Sequence, residues 1–249
     1  MLDLKSLFPT ITGFIAFIIT LLCLFAGTQR GFLDDAELLT LYTPASSTDT
    51  VSHNFYSIHV MSYCQGTLQS IDPNAGVTRN LTGCSNRTIM ASFDPSEAWP
   101  MEISYGPELK WPRVISDDFH TFQMTSRVMA VLYCIGVSAM GAALLVRVWT
   151  SLAPQAKQGV FEFGFLMLGS FSTCIASIIA TVIAFDFVAL LNAHGKGSNV
   201  SAQYGEKFLG MTWAAVGLLL AGTAACFVNV FVRGQAVSVS APAKKDIEG

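Results

Sequence analysis

Four stretches of this chain contain no charged residue at all. Between Lys5 and Arg30 lie 24 uncharged residues, between Arg127 and Arg147 19, between Glu162 and Asp186 23, and between Lys207 and Arg233 25. A hydrocarbon core of about 30 Å is crossed by about 20 helical residues, so every stretch is long enough to span it. Charged residues are 12% of the chain and apolar ones 52%, about half the charged share of a soluble domain. A single soluble domain, a nucleic-acid-binding module and a disordered chain are thereby excluded. The expected fold is a mainly α membrane protein: a four-helix transmembrane bundle with a small disulfide-pinned, β-rich extracellular domain between spans one and two.

The threading follows from where Lys and Arg stand in the short segments. Lys5, Arg147, Lys157, Arg233, Lys244 and Lys245 mark one side as cytoplasmic, whereas between Gln29 and Arg127 six basic residues stand against eleven acidic ones. The expected division is 1–6 cytoplasmic, 7–28 first span, 29–127 extracellular, 128–148 second span and 149–160 cytoplasmic. Residues 161–187 form the third span, 188–207 an extracellular loop, 208–232 the fourth span and 233–249 a cytoplasmic tail. The first span reads as uncleaved, because its apolar run exceeds a signal core and Phe25-Ala26-Gly27 is a poor cleavage site.

Two further features agree with this topology. The sequons at Asn80, Asn86 and Asn199 all fall on segments assigned outside. Cys23, Cys134, Cys174 and Cys226 lie one per span, as small buried hydrophobes. Palmitoylation of Cys226, near the inner end of its span, is the alternative for that thiol. Only Cys64 and Cys84 lie outside the spans, in an oxidising compartment, so a Cys64–Cys84 disulfide is expected.

The stretch Asn54 to Cys64 places Tyr56, Ile58 and Val60 on one face at period two and predicts a strand. A second strand is expected over Arg87–Phe93, with the disulfide tying the end of the first to the entry of the second and the sequons on the connection. Asp94-Pro95-Ser96-Glu97 reads as a helix start, giving a short helix with Trp99. Ser116-Asp117-Asp118 opens a helix reaching about Val148, and helical pattern runs from Val160 to about Asn192, so two long helices should brace the outer unit.

Tyr63-Cys64-Gln65-Gly66, then Cys84, then Phe93-Asp94-Pro95 resembles the outer-loop signature of the fungal Sur-seven/PalI family. Those are four-span plasma-membrane proteins, distantly similar in design to the claudins. The family motif maps here onto Tyr63, Cys64, Gly66, Cys84, Phe93, Asp94 and Pro95. Val60-Met61-Ser62 stands where claudins carry Gly-Leu-Trp, so no junction-forming role is carried over. The resemblance implies organisation of plasma-membrane domains of the eisosome type, with links to cell-wall integrity, endocytosis and development. Its PalI branch implies ambient-pH signalling instead; regulation of calcium influx during mating and transport are further alternatives.

Helices in lipid associate through small residues. Span four offers Gly210, Ala214, Gly217, Ala221 and Ala225, and span two Ala139 and Ala143. These are expected to pack within the bundle, or else against neighbouring copies. Glu162 and Asp186 read as solvated ends of span three rather than a transport path. Ser170, Ser172, Thr173, Ser177 and Thr181 are candidates for bonds between helices or to their own backbone. His53, His59, His120 and His194 all fall outside and read as surface histidines, with acid sensing as the alternative reading. Ser238 and Ser240, beside Lys244 and Lys245, are candidate phosphorylation sites that would weaken attraction to anionic lipid. No catalytic motif, cofactor loop or metal-ligand spacing is present. The expected partners are membrane lipids, copies of the chain or other cortical membrane proteins, and the cell wall. No enzyme activity, cofactor or nucleic-acid binding is expected.

Overall fold

A computed structural model describes residues 4–29, 31–43, 53–69, 78–85, 113–152, 158–194 and 200–232. Each uncharged stretch is a helix: α1 Leu4–Phe25, α2 Arg113–Leu152, α3 Gln158–His194 and α4 Glu206–Phe227, the last ending in a π turn at Val228–Val232. In lipid a helix satisfies its backbone polar groups within itself. Four segments, Leu7–Phe25, His120–Thr150, Val160–His194 and Glu206–Phe231, are long and apolar enough to cross a membrane. The protein is thus a multi-pass membrane protein.

The helices close into a bundle in which α1 packs on α4 and α2, and α3 packs on α2 and α4. Small side chains permit close approach: a Cβ on Gly136 would collide with the Thr173 hydroxyl, and one on Gly222 with that of Thr12. Ala139 and Ala143 are buried here as expected, as are Ala176, Ala180 and Ala184 of α3. Tyr133 bonds Ser177 at 3.2 Å, and the Trp213 indole N–H donates to Thr181 at 3.1 Å. Two of the polar residues of span three thus serve as interhelical bonds. Cys226 is buried in a cluster with Ala143 and Leu166.

At 40 and 37 residues, α2 and α3 are about 60 Å and 55 Å long, well beyond a bilayer core. Their projecting ends carry the sheet. Phe122 and Phe187 stack with centroids 4.5 Å apart beneath Leu39, Leu41, Tyr56, Ile58 and Ala202. The two long braces expected from sequence are present.

The sheet has five antiparallel strands in the order β4-β3-β2-β1-β5. They are β1 Leu39–Thr43, β2 His53–Ile58, β3 Tyr63–Gln69, β4 Thr78–Cys84 and β5 Ser201–Tyr204. Three expectations are corrected here. The stretch from Asn54 to Cys64 is two strands with a turn between, closed by His59 N–H to Ser62 O at 2.8 Å. Val60 and Met61 of that turn are buried against Leu38, Met129, Tyr133 and Phe208, so the turn plugs the mouth of the bundle. Its apolar residues obey the period of a strand because burial, rather than pleating, selects them. Second, the disulfide joins directly opposed residues of β3 and β4, and Asn80 lies on β4 rather than on a connection. Third, the segment 188–207 holds an unexpected strand: after α3 has run to His194, close to the expected Asn192, β5 pairs with β1 before Gly205 leads into α4. The expected strand at Arg87–Phe93 and helix at Asp94–Glu97, with Trp99, lie outside the described residues.

Candidate functional site

Four residues of the family motif, Tyr63, Cys64, Gly66 and Cys84, lie on β3 and β4 at one side of the sheet. Cys64 is fully buried and bonded to Cys84 across 20 residues of sequence. Tyr63 packs against the sheet–helix core; its carbonyl accepts from the Ser85 amide at 2.8 Å and its N–H donates to the Ser85 hydroxyl at 3.0 Å. Gly66 allows close approach: a Cβ there would strike the Asn80 carbonyl and the Phe55 ring. A bulge between Gln65 and Gly66 shifts the register so that the cysteines still face each other. Asn80 is exposed, as a glycan acceptor must be. Asn86, Asn199, Phe93, Asp94 and Pro95 lie outside the described residues.

The sheet is anchored to the first span at Gly27. Its φ of +67° is a left-handed conformation that favours glycine, and a Cβ would overlap the His59 ring. His59 is therefore no surface histidine. Only 5% of it is exposed, Nδ1 meets the Ala36 carbonyl at 3.2 Å, and Nε2 is buried with no hydrogen-bond partner among the described residues. Burial pushes its pKa below the ordinary value, against the opposing pull of Ala36, Glu37 and Asp34.

On the other sheet face a polar network centres on Glu37, which is buried. Its carboxylate accepts from Thr40 at 2.7 Å, Arg79 at 2.9 Å and Ser57 at 3.4 Å. Arg79 also donates to the Tyr42 hydroxyl at 2.8 Å and lies over the Phe55 ring. Beside this, Lys207 pairs with Asp35 at 2.7 Å, and that hydrogen bond holds the Asp35 carboxyl below its usual range. Neither Glu37 nor Arg79 announced itself in sequence, since each is a single charge on a charged loop. Among the described residues no three His, Cys, Asp or Glu side chains converge as a metal site.

At the other end of the bundle, Glu162 corrects a further expectation. It is buried and pairs with Arg147 at 3.5 Å, rather than lying solvated. Next to it in sequence, Phe163 packs on Phe227 and Phe231, with ring centroids 5.8 and 5.4 Å apart. Asp186 is exposed, as expected.

Of the two readings of the span-four stripe, the described residues do not show the one that packs it within the bundle. Gly210, Ala214, Gly217 and Ala221 are exposed and Ala225 half-buried; nothing lies within 4 Å of a Cβ built on Gly210 or Gly217 among the described residues. The bundle instead takes the face bearing Thr212, Ala215, Leu219, Gly222 and Cys226. At 3.6 residues per turn that face is about half a turn away. Small residues occur on both faces of α4, so spacing alone did not distinguish the packed one.

A model of the SUR7/PalI family matches residues 6–225, which takes in all four helices and the sheet. No curated protein matches the chain. By the extent of this match, the chain belongs to the SUR7/PalI family.

Proposed function

We propose that the protein is a non-enzymatic organiser of plasma-membrane domains, acting by lateral association of copies within cortical, eisosome-type patches. The observation that carries this reading is the outward-facing stripe of Gly210, Ala214, Gly217 and Ala221. Apolar expulsion does not hold helices together in lipid; close backbone approach does, and small residues at four-residue spacing provide it. Among the described residues the bundle packs through the opposite face of α4, which leaves this stripe for a neighbour. In this reading both termini are cytoplasmic and the sheet faces outward with sugar on Asn80, Asn86 and Asn199, in keeping with the charge distribution. Cell-wall integrity, endocytosis and development are the processes such patches would serve. A fluorescent fusion expressed from the native promoter should concentrate in cortical patches that do not recover after bleaching. A uniform, freely diffusing signal would refute the reading.

A second reading, a component of ambient-pH signalling, is favoured by buried His59 at the joint between α1 and the sheet. Under it, deletion abolishes the response to alkaline medium while cortical patches persist.

A further inference from the structure

Where β5 meets the start of α4, the sheet side of the molecule holds a cleft of about 620 Å³. This is within the range of about 300–1,000 Å³ typical of small-molecule sites. Its lining includes Asp35, Glu37, Arg79, Gln203, Tyr204 and Lys207. These residues come from the α1–β1 connection, β4, β5 and α4, remote in sequence and convergent in space. The edge of β5 is not free to add a strand there, because the Asn192 amide occupies it. That amide donates to the Ala202 carbonyl and accepts from the Ala202 N–H, both at 3.0 Å.

The electrostatics of the cleft select its ligand. Arg79 is closed on Glu37 and Lys207 on Asp35, so neither cation is a free anchor for an anion. With Glu206 also in the lining, three acids oppose a negative ligand, and the two cations beside them oppose a positive one. What remains is hydrogen-bonding capacity of both kinds. The Gln203 oxygen accepts from the Tyr42 hydroxyl at 3.3 Å, which leaves its amide N–H groups for a ligand. Lys207 has further N–H donors, and the carboxylates have further acceptor positions. A hydroxyl, which donates and accepts at once, suits adjacent donors and acceptors of this kind. Tyr204 is 39% exposed as a residue and its ring packs on Phe185, 4.8 Å away between centroids, offering an aromatic wall to an apolar ring face.

We propose that this cleft binds a neutral oligosaccharide, with Gln203, Lys207 and Asp35 bonding its hydroxyls and Tyr204 covering one sugar ring. The site stands on the cleft alone and does not depend on lateral association.

The test uses the full chain in nanodiscs, free of sugar-headed detergent. Soluble gluco-, manno- and chito-oligosaccharides are titrated by calorimetry and saturation-transfer NMR, with citrate and choline as charged probes. The expected result is saturable binding of at least one neutral oligosaccharide. It should weaken about tenfold in Gln203→Ala and in Tyr204→Ala, with both variants still unfolding cooperatively well above the titration temperature. Lys207→Met supplies a third variant should either of those fail to fold. Absence of saturable sugar binding, unchanged affinity in all folded variants, or preference for citrate or choline would overturn the proposal.

Discussion

The Ser62 hydroxyl donates to the Gly27 carbonyl oxygen at 2.9 Å, fastening the β2–β3 turn to the end of the first membrane helix. The joint is completed by the His59 ring against Gly27 and by Val60 and Met61 in the bundle mouth. Sheet and bundle are therefore coupled at a residue that must be glycine twice over, for its φ and for its lack of a Cβ. Gly27→Val should lower stability by about 2–3 kcal/mol. Gly31→Ala, at a φ of +81° but in open space, should cost only about 1 kcal/mol. Thermal unfolding in nanodiscs distinguishes them; equal losses would mean that the ring contact contributes nothing.

His59 gives the same joint a pH dependence. Burial lowers its folded-state pKa below that of the unfolded chain, so between the two values the unfolded state binds more protons. Stability is then full above the ordinary histidine value of about 6.5 and falls as pH drops through the folded pKa. Opposing that shift are the Ala36 carbonyl, bonded to Nδ1, and the charges of Glu37 and Asp34 acting at longer range. Protection factors of the amides of residues 26–29, 31–38 and 58–62, corrected for intrinsic exchange, should therefore fall as pH is lowered from 7 to 5. His59→Asn, which keeps a donor but cannot be charged, should flatten that slope. A slope of the opposite sign would contradict the buried neutral histidine.

The Cys64–Cys84 bridge closes a 20-residue separation, for which the chain-entropy model gives about 3 kcal/mol. Cys64→Ser, Cys84→Ser and the double variant should lose surface delivery equally, because each breaks one bond. Additive losses, measured by surface labelling, would mean that the sulfurs act separately.

What sequence revealed here depended on which physical pattern was strong. Absence of charge over a bilayer's width has few explanations, so the four helices were legible, and compartment left Cys64 only Cys84 as a partner. The sheet was less so. β1 and β5 have only five and four residues, and β5 lies about 160 residues from the β1 strand it pairs with, a distance no local period reports. The turn at His59–Ser62 broke the rule that turns are polar because it is buried in the bundle. His59 and Glu162 became interior for the same reason: the tertiary surroundings of one polar residue are not written in its neighbours. On α4, two faces of small residues satisfied one packing rule, and only the packed structure distinguishes Gly222 from Gly217.

That distinction supplies the sharpest test. Gly217→Leu combined with Ala221→Leu fills the outward stripe without meeting any described neighbour of Gly217. Gly222→Leu instead drives a side chain into Thr12 and the α1 backbone. Energy transfer between differently labelled copies in liposomes measures association, and thermal unfolding measures the bundle. The stripe variant should associate about tenfold less with its melting unchanged, while Gly222→Leu lowers melting. Association undiminished in the stripe variant would contradict lateral assembly through span four.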